Sequence, residues 1–358
     1  MNSESKLKQF VCKNPFEYFD IQENSSYICC PSWCSKDVFT TNGKLGWDDY
    51  HSKNVRKSIL DGSYKYCDKN VCPSLNKLLN TKEIPNNFIR KDRFIQHYSI
   101  NDYNDLDNIE FDCKHILFGF DRSCNLKCPS CRLNMVVNDK IDSDEYKLKL
   151  DILNTIEQKL ARTLESILIT GSGDPFYSNL YRNYLINFDK SKYPNLNEIK
   201  IITNGIMLDE KMWNSLNAKD YIKSIEVSID AGSKDTYEKV TRLNGNWDRL
   251  ISNLKFMSTL STINFFQLSF VVSELNYTEM YSFYELIVDI FKGRKFEVVF
   301  RQHVHWEEGK YSEDEVNSIS IFKPTHSNHN LFLNEFNKIY NKQFVNHNFN
   351  HLVQKSII

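Results

Sequence analysis

The chain has 358 residues, with 45 Lys+Arg against 46 Asp+Glu and a formal net charge of -1. Hydrophobic residues make up 41% and charged residues 25%, which supplies a sizeable core and excludes wholesale disorder. The charge balance gives no global pull toward nucleic acid or an anionic membrane. No apolar run approaches the roughly 18 residues of a spanning helix. The opening MNSESKLKQFVCKNPF has no apolar signal-peptide core. The expectation is a cytoplasmic protein of two or three domains, or of one large domain with an appendage.

Residues 1–110 are broken and rich in turn signals: Asn14-Pro15, Asn42-Gly43, Asp61-Gly62 and Pro85-Asn86-Asn87. They also carry Cys12, Cys29, Cys30, Cys34, Cys67 and Cys72. So irregular a segment buries little apolar surface and would benefit from a metal staple. From about residue 111 strand-length apolar runs alternate with helical patterns. The runs predict strands at His115–Asp121, Ser166–Thr170, Ile199–Thr203, Ser224–Asp230, Gln267–Val272 and Lys295–Arg301. Helices are predicted near 144–161, 178–189, 209–218, 247–260 and 277–291. Such runs read as parallel strands buried on both faces. The expected fold is α/β: a partial (β/α)6 TIM-like barrel with a small irregular Cys-rich N-terminal domain. The expected divisions are 1–110, 111–305 and 306–358, the last a polar extension with a helix at 327–342.

All ten cysteines lie at or before Cys131. In a reducing compartment such clustering points to metal rather than disulfides. The strongest signal is Cys124-Asn-Leu-Lys-Cys128-Pro-Ser-Cys131, directly after the first barrel strand. Barrel active sites occupy the loops at strand C-termini. Three thiolates can hold three irons of a four-iron, four-sulfur cluster and leave the fourth iron open. A zinc knuckle is the competing reading, but structural zinc wants four ligands. His115 lies within the preceding strand and is poorly placed as the fourth. Further polar groups end the next strands: Gly171-Ser172-Gly173-Asp174-Pro175, Thr203-Asn204-Gly205 and Ser228-Ile229-Asp230. Singly, each reads as a turn or a helix cap. Together, in order after the triplet, they form one polar rim.

The CxxxCxxC spacing and this rim resemble the radical S-adenosylmethionine (SAM) superfamily over residues 111–303. The resemblance implies a [4Fe-4S] cluster on Cys124, Cys128 and Cys131, with SAM on the open iron. It implies reductive cleavage of SAM and hydrogen abstraction from substrate by the resulting 5′-deoxyadenosyl radical. It places Gly171, Ser172, Gly173 and Asp174 near the methionine amine, and Ser228 and Asp230 near the ribose or methionine end. Thr203 and Asn204 belong to the same cofactor rim. Arg242 is a candidate for the SAM carboxylate, against a plain reading as a solvated helix-end charge. Many members place an aromatic residue before the third cysteine; here Ser130 stands there, and Phe120 or another residue must supply that contact if it is made.

The segment from Cys12 to Cys72-Pro73 resembles the SPASM/Twitch auxiliary-cluster domain, which in relatives usually follows the barrel. The resemblance implies one auxiliary [4Fe-4S] cluster. Its chosen ligands are Cys12, Cys30, Cys67 and Cys72, with Cys29 and Cys34 as spares. Adjacent Cys29 and Cys30 point in different directions if extended, so one of the two ligates. A four-thiolate zinc site is the competing reading. Cys113, alone, reads as a small buried hydrophobe. Arg301, His303, His305 and Trp306 end the sixth strand and are candidates for substrate contact.

The function expected is that of a radical SAM enzyme of oxidoreductase type. Its substrate would be a peptide, a protein or a sugar-like small molecule, and its electron donor a flavodoxin or ferredoxin. Two other classes compete: a non-catalytic iron–sulfur or zinc protein, and a radical SAM enzyme acting on RNA. The charge balance speaks against a broad phosphate footprint.

Overall fold

Short strands open the chain: β1 (Phe10–Cys12), β2 (Tyr18–Gln22), β3 (Ser25–Tyr27), β4 (Thr40–Thr41) and β5 (Phe88–Arg90). The six expected strands follow as β6 (His115–Gly119), β7 (Ser166–Ile169), β8 (Glu198–Thr203), β9 (Ile222–Ser228), β10 (Phe265–Val272) and β11 (Phe296–Gln302). A last strand, β12, spans Val345–His347. This computed structural model describes residues 3–349 apart from 24, 35–39, 42–44, 101–105, 107–108, 133, 138–139, 171 and 304–311. The class is mixed α/β with a parallel-strand sheet.

The chain divides into two compact units. The first comprises Met1–Asp121, Asp142–Leu168 and Lys190–Asn197. In it β2 pairs in parallel with β6, Tyr18 opposite His115 and Gln22 opposite Gly119. β3 pairs antiparallel with β2 and with β4, while β1 pairs antiparallel with β5. An aromatic cluster of Phe16, Phe94 and Phe111 fills its core. The buried Arg56 lies between the rings of Trp47 and Phe111, at 4.4 and 5.1 Å from their centroids. It donates to the Pro15 carbonyl and to Asp48, 2.8 and 2.9 Å away. A cation so held is stabilised by the ring faces as well as by its hydrogen bonds.

The second unit comprises Arg122–Ile141, Ile169–Asp189 and Glu198–Ile358. Here β8, β9, β10, β11 and β12 are successive parallel neighbours. Helices Glu210–Ser215, Trp247–Thr259 and Met280–Ile290 lie in the connections. The first two start where the sequence offers a cap: Asp209 accepts from the Met212 N–H and Asn246 from the Arg249 N–H. Such caps satisfy amides the helix itself leaves unpaired.

Burial on the two strand faces, expected from the apolar runs, is complete on one face of β10 and partial on the other, where Ser269 is buried. Phe266, Leu268, Phe270 and Val272 of β10 are buried, while Gln267 on the other face is only half-buried. Side chains alternate across a strand, so one face is apolar and the other carries a polar row. In that row Gln267 Nε2 donates to Glu226 at 2.9 Å, Arg301 forms an ion pair with Glu226, and the Ser269 and Ser228 hydroxyls lie 3.3 Å apart. The runs look continuous because Phe, Val and Ser intervene between these few polar positions.

Candidate functional site

Cys124 and Cys128 are buried and Cys131 is half-buried. The Cys124 N–H donates to the Val136 carbonyl at 2.9 Å. The N–H groups of Cys131 and Arg132 both donate to the Cys128 carbonyl, at 3.0 and 3.1 Å. The Lys127 N–H, donating to the Leu243 carbonyl at 3.0 Å, ties the loop to the segment that carries Arg242. Each of the three sulfurs has its own side-chain N–H donor. Asn204 Nδ2 lies 3.8 Å from Cys124 Sγ, Arg242 Nη1 3.3 Å from Cys128 Sγ, and Arg132 Nη2 3.5 Å from Cys131 Sγ. Burial pushes the Cys124 thiol up to about 12. Burial also raises Cys128, against the opposing charge of Arg242. Without a metal these thiols hold their protons, so metal binding here releases protons.

The glycine-rich loop follows β7. Thr170 adopts the left-handed region at φ 53°, and its hydroxyl accepts from the N–H groups of Ser172 and Gly173 at 2.8 and 2.9 Å. Gly171 lies outside the described residues. The Ser172 carbonyl accepts from Arg132 Nη2 at 2.5 Å. Asp174 is fully buried. One carboxylate oxygen accepts from the N–H groups of Phe176 and Tyr177, at 3.0 and 3.1 Å. The other accepts from the Thr203 hydroxyl at 2.7 Å and the Asn204 N–H at 2.8 Å. Burial raises this carboxyl, and those four bonds pull the other way. Asp174 therefore fastens the loop to the end of β8, with both oxygens engaged inside the protein.

The motif at the end of β8 works through side chains as well as backbone. Asn204 Nδ2 also donates to Asn125 at 2.8 Å, and Gly205 takes φ 80°. At the end of β9, Asp230 takes φ 60° and is buried. It accepts from the Val271 N–H at 2.8 Å and pairs with Arg242 Nη2 at 2.7 Å. Burial raises the Asp230 carboxyl, opposed by the Arg242 charge. Ser228 lies beside Ser269 on the polar strand face. Arg242 is buried, not solvated. It follows a turn of π-helix, Tyr237–Thr241, of the kind frequent at functional sites.

Pro129, Ser130, Asp230, Thr241, Asn276 and His303 line a cavity at this rim. Ser130 thus faces open space, and His303 is a wall residue, while His305 and Trp306 lie outside the described residues. Three residues were not legible as functional. Arg132 follows Cys131 directly, and its position beside a thiolate was the available signal. Asn276 bridges the Asp230 and Val271 carbonyls at 3.0 and 2.9 Å. Tyr237 is fully buried, and no described residue bonds its hydroxyl.

In the first unit, Cys12, Cys29, Cys67 and Cys72 act on one another electrostatically. After burial, the largest influences on Cys67 are the charges of Cys29, Cys12 and Cys72. Cys12 is likewise raised by burial and then by Cys29. Cys34 bridges Cys67 along the backbone, and its side chain bonds Cys29. Cys12 Sγ accepts from Asn87 Nδ2, and Cys72 Sγ from the Leu75 N–H, each at 3.5 Å. Cys30 is also raised first by burial, with Cys29 and Asp20 among its charged neighbours. Cys113 is a buried thiol, 3.8 Å from the His115 carbonyl and raised by that burial. Among the described residues, no group of three or more His, Cys, Asp or Glu is placed to hold a single metal ion. A cubane differs in that each thiolate binds a different iron.

Residues 120–287 match the model of the Radical SAM superfamily. A GTP 3′,8-cyclase of Clostridium perfringens (strain SM101 / Type A) is 27% identical over 134 residues, covering 37% of this chain and 39% of that protein. A GTP 3′,8-cyclase of Clostridium acetobutylicum is 30% identical over 125 residues, covering 34% and 36%. The chain thus spans less than two fifths of the length of these curated relatives. A solved structure, native anSMEcpe with bound AdoMet, is similar at a TM-score of 0.41 and 18% identity, over 56% of this chain and 54% of that one. Over residues 120–287, the chain is similar to the radical SAM superfamily.

Proposed function

We propose that the protein cleaves SAM reductively at a four-iron, four-sulfur cluster on Cys124, Cys128 and Cys131 and abstracts hydrogen from an organic substrate. The observation that carries this reading is the set of three thiols in one loop, each met by an N–H donor, at a rim with a cavity. Such donors favour the thiolate form that a cluster requires. The donor set fits the group. When bound, the cluster supplies the electron that splits the sulfur–carbon bond of SAM, and the radical chemistry is the cofactor's.

The chain's own residues hold and shape the site. Asp174 fixes the glycine-rich loop, leaving the backbone around Gly171, Ser172 and Gly173 to receive the methionine amine. Thr203 and Asn204 carry that loop against the cluster. Asp230 and Arg242 set the wall by Ser228, and the Arg242 guanidinium is the cation available to a SAM carboxylate. The substrate would be a peptide, a protein or a sugar-like molecule, meeting His303 and the polar row of Glu226, Gln267 and Arg301. A flavodoxin or ferredoxin would supply electrons, and the cytoplasm is the compartment that keeps the thiols reduced. The outcome would be oxidation of the substrate.

An auxiliary cluster in the first unit completes the reading. The mutual influence of Cys12, Cys29, Cys67 and Cys72 supports Cys29, rather than Cys30, as the fourth ligand.

The test is anaerobic reconstitution with iron and sulfide. The expected result is a broad iron–sulfur absorption band and 5′-deoxyadenosine that forms only with a reductant and SAM. On Cys128→Ala, loss of 5′-deoxyadenosine is expected, together with a weaker band that only the auxiliary site supplies. A protein that took up zinc alone and formed no 5′-deoxyadenosine would overturn the proposal.

A further inference from the structure

The three sulfur-facing donors are not equivalent in charge. Asn204 is neutral. Arg242 is charged, but its Nη2 lies 2.7 Å from the Asp230 carboxylate, so its charge is in part compensated by the protein itself. Arg132 differs. Its Nη1 donates to the Arg122 carbonyl at 2.6 Å, and its Nη2 to the Ser172 carbonyl at 2.5 Å and to Cys131 Sγ at 3.5 Å. These partners are two neutral carbonyls and one sulfur. Among the described residues, no carboxylate lies within ion-pair distance of Arg132, which is 5% exposed. A buried guanidinium without a carboxylate is costly unless an anion compensates it. The anion this position is built for is the thiolate set.

We propose that Arg132 is a positioning residue whose uncompensated charge raises the reduction potential of the cluster at Cys131. It also links that thiolate to the SAM-side loop through the Ser172 carbonyl. This rests on the cluster reading above. One-electron reduction adds a negative charge to the cluster, and a fixed cation bonded to a ligand sulfur favours the reduced form. Net charge and hydrogen bonds to sulfur are the terms that set such potentials. The forked guanidinium spans sulfur and carbonyl together, which a lysine ammonium does as a single point charge.

The test compares wild type, Arg132→Gln and Arg132→Lys, each reconstituted without oxygen. Iron and sulfide are counted, and the reduced cluster is titrated with dithionite and followed by electron paramagnetic resonance. The expected result is equal iron in all three, a midpoint shifted to more negative potential in Arg132→Gln, and a return toward wild type in Arg132→Lys. If Arg132→Gln refuses iron while Arg132→Lys accepts it, the need for a cation is shown by loading itself. An unchanged midpoint in a fully loaded Arg132→Gln overturns the proposal, as does loss of iron from both variants, which marks a merely structural residue. A wild type without a cluster removes the cluster reading and this inference with it. A wild-type cluster with an indifferent Gln variant removes the inference alone.

Discussion

Asp230 and Arg242 form a buried ion pair, with Arg242 Nη2 2.7 Å from Asp230 Oδ2. Removing one partner of such a pair strands the other charge in a poorly solvated place, at a cost of about 3–5 kcal/mol. Asp230→Ala is expected to destabilise the protein by that order. Asp230→Asn is expected to cost less, because asparagine tolerates the left-handed backbone at φ 60° and still accepts from the Val271 N–H. Urea unfolding followed by circular dichroism measures both. Equal losses for the two variants would show that the lost charge carries the whole cost and that the Val271 bond and the backbone add nothing to it.

Gly205 occupies a left-handed turn at φ 80° behind Asn204. A Cβ there would stand 2.9 Å from Leu250 Cδ1 and 3.0 Å from Val227 Cγ1. Gly205→Ala therefore adds backbone strain of about 1–2 kcal/mol to a crowding term. A lowered melting temperature, together with weaker SAM binding through the displaced Asn204, is expected in calorimetry. A melting temperature equal to wild type would show that Leu250 and Val227 yield freely.

For the first unit, iron counting in a background lacking Cys124, Cys128 and Cys131 isolates the auxiliary site. Cys29→Ala is expected to lose most of the remaining iron, and Cys30→Ala to keep it. The opposite pattern would return the ligand role to Cys30. Retention of iron in both variants would remove the pair from the site.

Asp20 on β2 is raised by burial from 3.8 to about 6, although Gln22 and Tyr18 bond its oxygens. Between these values the folded state holds a proton that the unfolded state has released. Stability therefore falls as pH rises from about 4 through about 6, by up to about 3 kcal/mol. Asp20→Asn is expected to flatten this slope in iron-free protein. Urea midpoints measured every half pH unit test it, and an unchanged slope would locate the dependence elsewhere.

The six β/α strands were legible because four- to eight-residue runs of Ile, Val and Phe bounded by turn residues have few other solutions. The cysteine triplet was legible because its spacing is local. What escaped involves contacts far apart in the chain. Nothing around Tyr18–Gln22 announces a partner some 97 residues away at β6. The sulfur donors Asn204 and Arg242 stand 80 and 114 residues from the thiols they meet. Asp174 was visible as a rim residue, yet its engagement by Thr203 and three backbone amides depends on how two loops pack. The choice between Cys29 and Cys30 turns on side-chain direction, which adjacent positions in a sequence do not disclose.

The parallel pairing of β2 with β6 bears on how the protein can be dissected. A truncation beginning at residue 111 would strip β6 of its β2 neighbour and bare a row of amides and carbonyls along one edge of an apolar strand. Exposed edges of this kind recruit other chains. Trimming away the cysteine-rich segment would therefore be expected to yield aggregates rather than a well-behaved fragment, and the strand leading to Cys124 would lose support along one side.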